Sequence, residues 1–201
     1  MLASLEKKGG KRAINEPSNS TTKLPQFDFT EYFRGHTRAS GWFSDRFGKP
    51  RRHFCGDFYG FFEKDEFILD EKLFYTDDIV EVRQWKVNVT GNGIFSAKSD
   101  SLINGAHGFV DGNRLSMRYS MKVKIEQDKE WGLDMKDLMI LQPDGSLHNI
   151  TQVCKWGCRI GIVSTHFTKH EGDRLCAVES SNSQGRLRGE NTGRHLSSVG
   201  S

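Results

Sequence analysis

The sequence predicts one all-β domain, a single antiparallel up-and-down β-barrel of about ten strands with a short N-terminal helix. Three observations carry that expectation. Turn-forming Gly, Asp, Asn or Pro clusters recur every 8–14 residues between Phe27 and His170. The runs between them alternate apolar and polar side chains, and aromatic residues are dense there and sparse outside. Short strands at such spacing build a sandwich or barrel rather than βαβ units.

Taken in order, residues 1–26 are polar, hold five Lys or Arg against two acids, and are expected to be a disordered basic tail. The barrel domain is assigned to 27–170. Phe29–Phe33 is the one plausible helix, a turn or two before the first strand. Over residues 52–62, Phe54, Phe58 and Phe62 share a face with Gly56 and Gly60, glycines that relieve crowding or permit a bend. Phe67–Tyr75 and Ile79–Val89 form a hairpin across Thr76-Asp77-Asp78. Their apolar odd positions face each other when paired numbers sum to 154, which sets Glu71 against Arg83 on an otherwise apolar face.

Gly91-Asn92-Gly93 is a hairpin turn. Across Asp111-Gly112-Asn113 a three-residue loop gives a sum of 224, which places His107 opposite Met117 and turns it inward. Residues 114–125 alternate without a break: Leu115, Met117, Tyr119, Met121, Val123 and Ile125 face one side, while Arg, Ser and Lys face the other. Cys154 and Cys158 are expected on one face of one strand, as packing residues. Residues 171–201 are expected to be a disordered tail.

The net charge is +3, yet residues 27–170 carry 20 cations and 20 anions, so the excess lies in residues 1–26. A domain of zero net charge is a poor footprint for nucleic acid, and no nucleic-acid partner is expected. No apolar run approaches the ~18 residues of a membrane span. No integral membrane association is expected, nor a signal peptide or lipobox, and a soluble intracellular setting follows, cytoplasmic or otherwise. The four cysteines are accordingly expected as thiols. Cys154 and Cys158 lack a second ligand pair at zinc spacing, so no metal or other cofactor is expected.

Several fragments carry a resemblance. Gly41-Trp42-Phe43-Ser44-Asp45-Arg46-Phe47-Gly48 looks like a G-x-F-x-D-R-x-G opening. Leu69 through Asp77 resembles an L-x-E-x-F-x-Y-x-D block, Arg83-Gln84-Trp85 an R-x-W, and Gly112-Asn113-Arg114-Leu115 a GN-x-L turn. Asp137, Asn149 and Lys155-Trp156-Gly157 fit a closing segment. Together they resemble domain-of-unknown-function family 3833 over about residues 27–169. The resemblance implies a calycin-like, lipocalin-type barrel and supplies no activity. Asp78 stands where that family tends to have Gly, and Leu138 where an aromatic is common.

The candidate ligand-binding residues are Glu71, Tyr75, Arg83, Trp85, His107 and Tyr119, and no catalytic or metal-binding residue is assigned. Glu71 and Arg83 either hold a ligand's polar head, such as a carboxylate on Arg83, or form a satisfied ion pair that fixes strand register. No phosphate loop, zinc signature or G-x-S-x-G elbow occurs. The expected function is non-enzymatic: a small apolar or amphipathic, lipid-like ligand held in the barrel. The alternatives are a structural or protein-interaction barrel with a filled core, whose partner proteins the sequence does not name, and a cofactor-free isomerase or lyase using Glu71 or His107.

Overall fold

The computed structural model describes residues 24–126, 129–170 and 176. Asp28 opens a five-residue helix, α1 (Phe29–Phe33), by accepting from Glu31 N at 3.0 Å, a side-chain N-cap. Ten strands follow: β1 (Gly35–Asp45), β2 (Pro50–Glu63), β3 (Glu66–Tyr75), β4 (Val80–Val89), β5 (Ile94–Lys98), β6 (Ala106–Asp111), β7 (Arg114–Glu126), β8 (Lys129–Leu141), β9 (Leu147–Lys155) and β10 (Cys158–Lys169). Each pairs antiparallel with the next, and β1 pairs with β10, so the sheet closes and leaves no edge. The expected fold is the observed one.

Up-and-down order places alternate turns at opposite ends. Residues 46–49, 76–79, 99–105 and 156–157 form the mouth. The turns at 64–65, 90–93, 112–113 and 142–146 form the floor, which α1 covers. Phe29 packs on Phe95 at 5.1 Å between ring centroids, Phe33 on Phe167 at 5.5 Å, and the Tyr32 hydroxyl donates to Phe167 O at 3.1 Å. Gly60 makes this docking sterically possible, because a Cβ there would overlap the Phe33 carbonyl oxygen and lie 2.6 Å from Phe67 Cζ. The other end of the chain's N-terminal approach is pinned by Phe27 N donating to Gly112 O at 2.8 Å.

The β3–β4 register is the expected one: Phe67 pairs with Val87, Leu69 with Trp85, Glu71 with Arg83 and Leu73 with Glu81. The β6–β7 register is not. Asp111 pairs with Arg114 and Val110 with Leu115, so the turn is the two residues Gly112-Asn113. One residue of slip reverses every side chain on β6. Ala106 is buried inside the barrel, while His107 and Phe109 face out and His107 sits opposite Arg118. The inward placement of His107 is therefore corrected.

Two further expectations change. Cys154 and Cys158 lie on neighbouring strands either side of the Trp156-Gly157 turn; Cys154 is buried and Cys158 exposed. Cys55 is bonded to Cys176 rather than held as a thiol. Cys176 also donates its N–H to Asp57 Oδ2 at 2.8 Å, which places it on the outer face of β1 and β2, where Arg38 pairs with Asp57. The two expected tails, 1–26 and 171–201, otherwise lie outside the described residues, apart from residues 24–26. Among the described residues no helix is long and apolar enough to cross a membrane.

The resembling fragments fall into two structural groups. Asp45 accepts from Phe47 N at 2.9 Å and Lys49 N at 3.1 Å, fastening the β1–β2 turn, in which Gly48 has φ 82°. Asn113 Nδ2 donates to Leu141 O at 3.0 Å and ties the floor turn to β8. Asp78 has φ 61°, a left-handed conformation that Gly favours and Asp tolerates. The second group points into the barrel.

Candidate functional site

Alternation puts the odd-numbered residues of β3, β4, β7, β8 and β9 inside, and several of these are polar. They surround an interior cavity of about 610 Å³ that opens at the mouth and is closed below by Phe29 and Phe33. Its two sides differ in chemistry.

The polar wall starts on β3 and β4. Arg83 Nη1 donates to Glu71 Oε1 at 2.7 Å, and Trp85 Nε1 donates to Glu71 Oε2 at 2.6 Å. Arg83 Nη2 donates to Glu81 Oε2, and the Tyr75 hydroxyl donates to the same oxygen at 3.2 Å. Glu71 and Arg83 side chains are only 9% and 16% exposed, so the pair is desolvated. Burial alone lowers the Arg83 pKa. Glu71 and Glu81 more than offset this and keep the guanidinium charged. Burial, followed by the charge of Glu81, pushes the Tyr75 hydroxyl up and keeps it a neutral donor.

The wall continues through an edge-to-face contact of Trp85 with Tyr119, whose centroids are 5.7 Å apart. The Tyr119 hydroxyl donates to Asp137 Oδ2 at 3.2 Å. Asn149 Nδ2 lies 3.5 Å from that oxygen and 3.2 Å from Thr151 Oγ1. Burial pushes the Asp137 carboxyl up to about 6, against the lowering effect of hydrogen bonds from Thr151, Tyr119 and Asn149. Asn149 Oδ1 is buried and accepts no hydrogen bond, and Asp137 Oδ1 accepts none of ordinary geometry.

The wall across from β3 and β4, above Asp137 and Asn149 toward the mouth, is apolar. Met121, Leu133, Met135 and Val153 are buried in it, and Phe43, Val123, Trp131, Ile160 and Val163 are partly buried nearer the mouth. At the lip, the Arg52 guanidinium lies 3.5 Å from the Tyr75 ring centroid and pairs with Asp77 at 2.8 Å. Arg51 pairs with Asp45 at 2.6 Å.

Of the six residues singled out from the sequence, Glu71, Tyr75, Arg83, Trp85 and Tyr119 line this cavity and His107 does not. Glu81, Asp137, Asn149 and Thr151 were missed as site residues. The signal was present: each sits on the apolar parity of its strand, as in Leu133, Met135, Asp137, Met139, Leu141 on β8. Among the described residues no group of three or more His, Cys, Asp or Glu is placed to hold a metal ion.

Fold and site together define a closed β-barrel protein with an interior cavity lined by both polar and apolar side chains. The chain belongs to the family described as Protein of unknown function (DUF3833), whose model matches residues 11–169. No curated protein and no solved structure matches it.

Proposed function

We propose that this protein binds one small amphipathic, lipid-like molecule inside the barrel, in the manner of a lipocalin, and performs no chemistry on it. The observation that carries this reading is the cavity of about 610 Å³ whose lining divides into a polar patch and an apolar one. That volume lies within the ~300–1,000 Å³ typical of small-molecule sites, which are mostly apolar with a few placed polar groups. A core meant only for stability would pack such space shut. Unfilled volume beside half-buried Phe43, Trp131 and Ile160 therefore counts against the filled-core alternative.

Catalysis is the weaker reading. His107, one of its two candidate groups, lies on the outer face, and both oxygens of the other, Glu71, are engaged by Arg83 and Trp85. A free general base needs an open lone pair facing the substrate.

Native mass spectrometry of the purified full-length chain, offered fatty acids, long-chain alcohols, alkylamines and small isoprenoids, tests the proposal. A retained ligand at one per chain, lost when Met135→Trp fills the apolar wall, is the expected result. No retained molecule of any class would overturn it.

A further inference from the structure

Resting on that binding reading, we propose that the cavity selects an amphipath with a cationic amine head, seated head-first on Asp137 and Asn149 with its tail toward the mouth. The polar wall turns donors on its own carboxylates. Arg83, Trp85, Tyr75 and Tyr119 each direct an N–H or O–H at a carboxylate of the wall itself. Arg83, the group that would take up a carboxylate head, already has Glu71 on one terminal nitrogen and Glu81 on the other. The wall also holds two buried acceptors, Asn149 Oδ1 and Asp137 Oδ1, that receive no well-formed hydrogen bond from the protein. Buried acceptors left unmatched are costly, and a head that donates several hydrogen bonds relieves that cost.

Formal charge points the same way. Among the lining residues below the lip, the carboxyl groups of Glu71, Glu81 and Asp137 outnumber the one guanidinium, Arg83. The lip cations Arg51 and Arg52 are matched by Asp45 and Asp77, and Lys124 is exposed to solvent. A carboxylate head would add a like charge to this surplus, whereas an ammonium would offset it with three donors. The apolar residues set the orientation. Phe43, Val123, Trp131, Ile160 and Val163 lie near the strand ends at the mouth, above the Tyr119–Asp137–Asn149 level, so a hydrocarbon tail fits against them once the head is below.

Three ligands with one chain and different heads separate the possibilities: dodecylamine, dodecanol and dodecanoate, titrated into the full-length protein by calorimetry below their micelle concentrations. The amine is expected to bind at least about tenfold tighter than dodecanoate, a difference equal to one matched buried charge contact. The chain's net charge of +3 opposes nonspecific adsorption of an amine. Asp137→Asn should shrink the amine-to-acid ratio, with the variant's near-UV circular dichroism and cooperative thermal unfolding certifying its fold. Dodecanoate binding as tightly as the amine, or a ratio unmoved by Asp137→Asn, would overturn the proposed head seat while leaving the binding reading intact. Failure of all three ligands to bind would remove both.

Discussion

Glu71 and Arg83 face each other across the β3–β4 ladder with Nη1 and Oε1 2.7 Å apart, and Trp85 holds the second carboxylate oxygen from the same strand as Arg83. The pair is buried, so what each partner does for the fold depends on the other remaining. Arg83→Ala strands Glu71 beside Glu81 and should cost about 3–5 kcal/mol in urea unfolding. The double change Arg83→Ala, Glu71→Ala should cost less than the two single changes added, because Glu71 is no longer an orphan charge and only Glu81 loses its cation. Additive losses would mean that the two groups are not coupled.

Asp137 gives a pH signature. Its carboxyl is raised from 3.8 to about 6 by burial, so between those values the folded state holds a proton that the unfolded chain has released. Stability should therefore fall as pH rises from about 4 to about 6, by on the order of 2–3 kcal/mol from this group. Asp137→Asn should flatten that slope and leave the alkaline side more stable relative to the parent. A 13C titration of the carboxyl that ends below pH 4.5 would refute the assignment.

Gly60 predicts a local failure. Its Cβ position is occupied by the Phe33 carbonyl and the Phe67 ring, and backbone cannot yield as a flexible side chain can. Gly60→Ala should cost about 1–3 kcal/mol and loosen α1 from the floor. Hydrogen exchange at Arg34 N, which donates to Thr30 O, should rise more than exchange in β7 or β8.

Cys55 and Cys176 are 121 residues apart, so their bond restrains a long stretch of the unfolded chain. Cys176→Ser should lower stability by about 2–5 kcal/mol. Peptide mapping under non-reducing conditions should find one Cys55–Cys176 linked pair, with Cys154 and Cys158 open to alkylation after unfolding. Four alkylatable cysteines in protein prepared under oxidising conditions would contradict the pairing.

Much of the barrel was legible because a two-residue period leaves few choices once an apolar face is chosen. The Glu71–Arg83 pairing followed from parity alone. The same logic failed at β6, where the loop was taken as three residues and is two. The clue was Val110, an apolar residue of the wrong parity for the assumed register, which sits opposite Leu115. Asp137 and Asn149 were noticed only as fragments of a resemblance, although a polar residue within an apolar stripe is itself the mark of an interior site. Cys176 could not be placed at all. No strand register reaches it, and its partner Cys55 was visible only as an outward residue of β2.

Closure between β1 and β10 also dictates when the protein can become whole. Thr37 meets Lys169 and Ala39 meets Phe167, so the first strand made finds its second neighbour only when the last has left the ribosome. Until then both strands present unpaired backbone to whatever surrounds the nascent chain. Pairings so distant along the sequence are slow to form, and a product that stops before β10 cannot close the sheet and leaves Phe33 and Phe58 without the Phe167 ring that packs on them.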